Sequence, residues 1–141
     1  MAVVLASCVA AGVLSACAGQ ETGEPAAVAE RFYETVRAGD GSGACAQLSP
    51  DAKSELEAAE GARCPRAVLE LELSGVRARG GEAYVTTARV EMDRGDRLFL
   101  DRTRAGWRVA AAGCKPQPGE EAPDDCELES CCGPSLSSIW C

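Results

Sequence analysis

The sequence predicts an α+β domain, N-terminal helices packed on an antiparallel sheet, and three observations predict it. Val28, Phe32 and Val36 recur every four positions in the first half. From about Ser74 the apolar period changes to two, and glycine-containing steps punctuate the alternating runs. The two regimes follow one another instead of interleaving, which is the pattern of helices layered on a meander and not of a parallel sheet with crossovers.

Each element has a local reason. Pro25 suits a first helical position, where its missing N–H is no loss, and Gly39 ends that helix as a left-handed cap. Asp40 can cap a second short helix running through Cys45 to Leu48, and Ser49-Pro50 starts a third that reaches about Glu60. Its acids and Ala58-Ala59 make that third one a surface helix. Cys64-Pro65 opens another short helix, but Leu69, Leu71 and Leu73 also alternate with period two, so helix and strand both stay open there.

Residues 83–93 put Tyr84, Thr86, Ala88, Val90 and Met92 on one face and Val85, Thr87, Arg89, Glu91 and Asp93 on the other, the signature of a half-buried strand. Gly80-Gly81 before it and Arg94-Gly95 after it read as hairpin turns. Residues 97–104 form the next strand, and Ala105-Gly106 turns into a last one at 107–112. Arg94-Gly95-Asp96 spells an integrin-type adhesion tripeptide, yet the hairpin itself demands the glycine, so it reads as a turn.

Residues 2–14 (AVVLASCVAAGVL) are uncharged and, at 13 residues, shorter than a membrane span, which takes about 20. They fit the apolar core of a secretory signal. The Leu14-Ser15-Ala16-Cys17 that follows resembles the bacterial lipobox. That resemblance implies a diacylglycerol on the Cys17 thiol and cleavage just before it, with two chains anchoring where one binds only marginally. Residues 1–16 are then a signal peptide, 17–24 the lipidated cysteine and a polar tether, and 25–114 the domain. The expected location is the outer face of the cell membrane, reached through a lipid anchor. No Lys or Arg precedes the apolar run, which points to a start codon upstream of Met1.

Composition narrows the function classes. Aromatics make up 4% of a chain that is 46% hydrophobic, so the core is small and built from Val, Leu and Ala. Small cores need staples; nine cysteines supply them, and export supplies the oxidising compartment. The net charge of −8 is unevenly spread: residues 20–72 carry 11 acids against 5 bases, residues 76–108 carry 5 acids against 8 arginines, and residues 115–129 carry 6 acids and Lys115. Overall acidity argues against nucleic acid as a partner. The eight arginines alternate with apolar residues on strands and read as solvated outer positions. With no histidine, Ser-His-Asp and Cys-His nucleophilic systems and His metal sites are excluded.

The order of AVAERFYETVRAGD, GACAQLSPDAKSELE, CPRAVLELEL and DRLFLDRTRAGWRVAAAGCKP, with Asp125-Cys126 beyond them, resembles small actinobacterial lipoproteins with a nuclear transport factor 2-like fold. The resemblance covers residues 26–126 and is most specific at 106–114. It implies a cone of helices against a curved antiparallel sheet and an exported setting, and no established activity. A pocket in the mouth of that cone would be lined by Phe32, Tyr33, Tyr84, Asp101 and Trp107.

Position pairs some of the cysteines. Cys45 and Cys64 flank the third helix, and Cys114 and Cys126 flank a Pro/Gly-rich acidic loop within residues 115–129, so two bridges are expected: Cys45–Cys64 and Cys114–Cys126. Cys8 leaves with the leader and Cys17 is lipidated, which leaves Cys131, Cys132 and Cys141 without assigned partners. Residues 130–141 (SCCGPSLSSIWC) depart from the family and read as an unstructured or aberrant end. Cys126, Cys131, Cys132 and Cys141 lack the paired Cys-x-x-Cys knuckles of a zinc site, and neither metal nor cofactor is expected.

Three functions remain. The first is a non-catalytic domain that binds a small apolar ligand or an envelope protein. The second follows from the resemblance, since ketosteroid isomerases and polyketide cyclases share the cone: a cofactor-independent enzyme using Tyr33, Tyr84 or Asp101. Against it, Tyr84 reads better as a core ring with a satisfied hydroxyl, and Asp101 as the strand partner of an arginine. The third is a structural envelope protein whose pocket is filled by side chains.

Overall fold

A computed structural model describes residues 22–119 and 124–129. The lipobox, Cys17 and the cysteines of the tail lie outside the described residues. Four helices come first: α1 (Gly23–Arg37), α2 (Gly41–Gln47), α3 (Pro50–Glu60) and α4 (Cys64–Ala67), the last running into a 3-10 turn at Val68–Glu70. Five strands follow, β1 (Ala78–Ala83), β2 (Thr87–Met92), β3 (Arg97–Thr103), β4 (Gly106–Cys114) and β5 (Leu128–Glu129). They pair in chain order as one antiparallel meander. The architecture is therefore the α+β layering of helices and antiparallel sheet. No helix among the described residues is long and apolar enough to cross a membrane.

The helix boundaries follow from caps. Gly39, at φ +75°, lets the chain reverse after α1. Its N–H bonds the Val36 carbonyl at 3.0 Å and the Asp40 N–H bonds the Thr35 carbonyl at 2.9 Å, the paired bonds of a Schellman motif. The Asp40 carboxylate then accepts from the Gly43 N–H at 2.8 Å to open α2. The Ser49 hydroxyl accepts from the Ala52 N–H at 3.2 Å to open α3. The segment that could have been helix or strand is neither beyond Glu70: Leu71 and Leu73 run extended and pack against the core, while Leu69 is exposed.

Two bridges staple the layers. Cys45–Cys64 joins α2 to α4 around α3, and Cys114–Cys126 ties the end of β4 to the chain entering β5. Loops of 19 and 12 residues contribute about 3 kcal/mol each in the chain-entropy model.

Several expectations are corrected. Gly80-Gly81 is not a turn but part of β1, next to a register shift between Ala78 and Gly80. A Cβ at Gly81 would collide with the Arg89 carbonyl oxygen, so the glycine permits close approach of two strands. The expected single strand over 83–93 is consequently split. Residues 84–87 form the hairpin turn, closed by the Tyr84 N–H on the Thr87 carbonyl at 2.7 Å. Tyr84 is therefore no core ring; it is 61% exposed. The buried face of α1 is also rotated: Pro25, Ala29, Phe32 and Tyr33 form it, with Val28 and Val36 at its margin. Finally, the acidic loop contributes β5, whose Leu128 is buried opposite Ala112.

The core lies between the helices and one sheet face. Ala88, Val90 and Met92 of β2, Leu98 and Leu100 of β3, and Trp107, Val109 and Ala112 of β4 meet Ala29, Phe32, Tyr33, Leu56 and Val68 there.

Candidate functional site

Strict alternation leaves a second sheet face, and it is not featureless. On β2, Thr87, Arg89 and Glu91 alternate with the buried Ala88, Val90 and Met92; on β3, Phe99 and Asp101 alternate with the buried Leu98 and Leu100. Register lines these outward residues into rows. Glu82 pairs with Arg89 and Arg89 with Phe99, while Thr87 pairs with Asp101 and Asp101 with Arg108. One of two register shifts between β3 and β4, that between Phe99 and Leu100, leaves Ala110 without a partner on β3. Ala110 and Phe99 line the same cleft.

The result is a half-open cleft of about 230 Å³ with a mostly apolar wall. Glu82, Tyr84, Thr87, Arg89, Phe99 and Asp101 line it, together with Ala88, Leu100 and Ala110. Most of its polar groups are occupied. Arg89 Nη2 sits 3.4 Å from Glu82 Oε2 and 3.9 Å from Glu91 Oε1, and the Tyr84 hydroxyl donates to Glu82 Oε2 at 3.1 Å. Arg108, across from Asp101, turns away and donates to the Trp107 carbonyl at 2.9 Å. Asp101 thus has neither hydrogen bond nor ion pair among the described residues, and the expected pairing with an arginine is a register relation only. Burial, and then the nearby Asp51 carboxylate, push the Asp101 carboxyl above its ordinary value.

The sequence-predicted pocket residues divide between two faces. Tyr84 and Asp101 line the cleft. Phe32, Tyr33 and Trp107 are buried in the core, at 0%, 2% and 3% exposure. Phe32 and Tyr33 meet edge to face with centroids 6.1 Å apart, and the Arg102 guanidinium lies 5.4 Å from the centre of the Trp107 ring.

Beneath them lies a polar centre that sequence reasoning missed. Asp96, read as a turn residue, is fully buried. Its Oδ2 accepts from the Tyr33 hydroxyl at 3.2 Å and the Ser74 N–H at 2.8 Å, while Oδ1 has no partner among the described residues. The Tyr33 oxygen accepts in turn from the Gly113 N–H at 3.4 Å. These bonds join α1, the segment before β1, the β2–β3 turn and β4 at one point. Burial, reinforced by the Asp96 charge, raises the Tyr33 phenol far above its ordinary value, so it stays a donor. With its carboxyl turned inward, the Arg94-Gly95-Asp96 tripeptide cannot be presented to an adhesion receptor.

Glu82, Arg89 and Phe99 are among the cleft residues not singled out as site residues from sequence. A signal existed: the apolar triplet Leu98-Phe99-Leu100 must put its middle ring outward on an alternating strand. In comparisons with known proteins, no family model, no curated protein and no solved structure matches the chain.

Proposed function

We propose that this chain is an exported, lipid-anchored, non-catalytic domain of the nuclear transport factor 2-like type that binds a small, largely apolar ligand. The observation that carries the reading is the open cleft floored by Phe99 on the sheet face opposite the core. Apolar wall with a few convergent polar groups is the ordinary make-up of a ligand site. Two disulfides support an oxidising compartment, and the Leu14-Ser15-Ala16-Cys17 pattern supports a diacylglycerol anchor on Cys17. Phe32, Tyr33 and Trp107, expected to line a pocket, are packed in the core instead.

The neutral fluorophore N-phenyl-1-naphthylamine tests the cleft. Saturable enhancement in the native chain, lost in Thr87→Trp, which blocks the cleft from an exposed rim position, is the expected result. No saturable binding by the native chain overturns it. The address is tested separately by intact mass before and after reduction and alkylation: a diacylglycerol on Cys17 is expected, and an unlipidated chain retaining residues 1–16 contradicts the anchor.

Catalysis is the second reading, favoured by one observation: Asp101, its carboxyl raised by burial, shares a cleft with Tyr84. It is the weaker one. Tyr84 already donates to Glu82, and the carboxylate near Asp101, that of Asp51, does not line the cleft.

A further inference from the structure

Resting on the reading of the cleft as a ligand site, we infer that its ligand class is an organic ammonium with an aromatic or aliphatic body, anchored by Asp101 and seated on Phe99. The polarity of the lining decides this. Two carboxylates, Glu82 and Asp101, face one guanidinium, Arg89, so the cleft is net negative. Glu82 and Glu91 hold Nη2 of Arg89, while its buried Nε has no partner among the described residues. Glu82 is itself engaged by Arg89 and by the Tyr84 hydroxyl.

Asp101 alone among the lining ionisable groups is without a partner in the described residues. The groups that face it are carboxylate or turned away: Asp51 from α3 adds negative charge, and Arg108 from β4 donates elsewhere. A fold gains nothing by keeping a half-buried carboxylate unpaired beside a second one. A ligand ammonium would supply the missing counter-charge, relieve both, and set the rest of the molecule against the Phe99 ring. Aromatic faces favour a cation for the same electrostatic reason. An anionic or neutral apolar ligand would leave Asp101 desolvated and uncompensated.

Three probes with one ring system and different charge test this on the full chain by calorimetry at pH 7 and low salt: 1-naphthylmethylammonium, 1-naphthylmethanol and 1-naphthaleneacetate. The ammonium is expected to bind about tenfold or more tightly than the alcohol, with the carboxylate weakest. Asp101→Asn is expected to bring the ammonium down to the alcohol's affinity while the thermal midpoint stays unchanged or rises, which excludes misfolding as the cause. The preference should also fade as pH falls and Asp101 takes up its proton. Equal binding of ammonium and alcohol, or an ammonium preference that survives Asp101→Asn, overturns the charge assignment and leaves the apolar site standing. Failure of all three probes overturns the site itself, and this inference with it.

Discussion

Asp96 and Asp101 are five residues apart on one stretch of chain, yet they sit in opposite kinds of surroundings. Asp96 faces the helices, is fully buried, and is held by the Tyr33 hydroxyl and the Ser74 N–H. Asp101 faces away, is half-buried, and is held by nothing among the described residues. Strand alternation separates them: Leu98 and Leu100 belong to the first face, Phe99 and Asp101 to the second. On the inner face the Asp96 carboxylate joins elements, whereas on the outer face the Asp101 carboxylate has no partner among the described residues. Stability and recognition are thereby assigned to different sides of the same strand.

The inner face should therefore be the costly one to change. Asp96→Ala leaves the Tyr33 hydroxyl and the Ser74 N–H without their acceptor in the core, at about 1–3 kcal/mol for each unsatisfied group. A loss of several kcal/mol in urea unfolding is expected; a loss under about 1 kcal/mol would show that the cluster joins nothing. Converting Cys45 and Cys64 together to Ala should lower stability by about 3 kcal/mol, because the unfolded chain regains a 19-residue loop. Tyr33→Phe should cost less, about 1–2 kcal/mol, since Asp96 keeps the Ser74 N–H.

The outer face should respond with the opposite sign. Asp101 holds its proton more tightly folded than unfolded, so its contribution favours folding at acid pH and is lost as pH rises from the ordinary carboxyl value through the raised one. Asp101→Asn should then stabilise the domain at pH 7 by a few tenths of a kcal/mol, small because solvent screens the half-exposed group. Asp93 works the other way. The Val76 N–H, at 2.9 Å, lowers its carboxyl, so its contribution is present above the ordinary value and is lost as pH falls. Comparing the pH dependence of unfolding for Asp93→Asn and Asp101→Asn should give slopes that change in opposite directions; a common direction would contradict the assignment.

How much of this could be read in advance depended on how local the cause was. Asp40, Ser49 and Gly39 cap helices through bonds to neighbours three to five residues away, and their sequence signals held. The two disulfides also followed from position along the chain. Gly80-Gly81 misled because the same dipeptide serves a turn or a close strand approach, and only the Arg89 carbonyl, on another strand, decides which. Leu128–Glu129 is too short to show a period and exists as a strand because the Cys114–Cys126 bridge brings it beside β4. Asp96 was illegible for a similar reason: Tyr33, its donor, is 63 residues away. The cleft fell between these cases. Tyr84 and Asp101 were nominated as chemistry-bearing groups, but the Phe99 floor needed the strand register.

Amide chemical-shift mapping of 1-naphthylmethylammonium on the isotopically labelled full chain tests the division of the two faces most directly. The account predicts saturable shifts concentrated at Tyr84, Thr87, Arg89, Phe99 and Asp101, with the amides of Ala29, Phe32 and Tyr33 left in place. Shifts centred on those helix residues instead, or spread evenly over the chain, would contradict it.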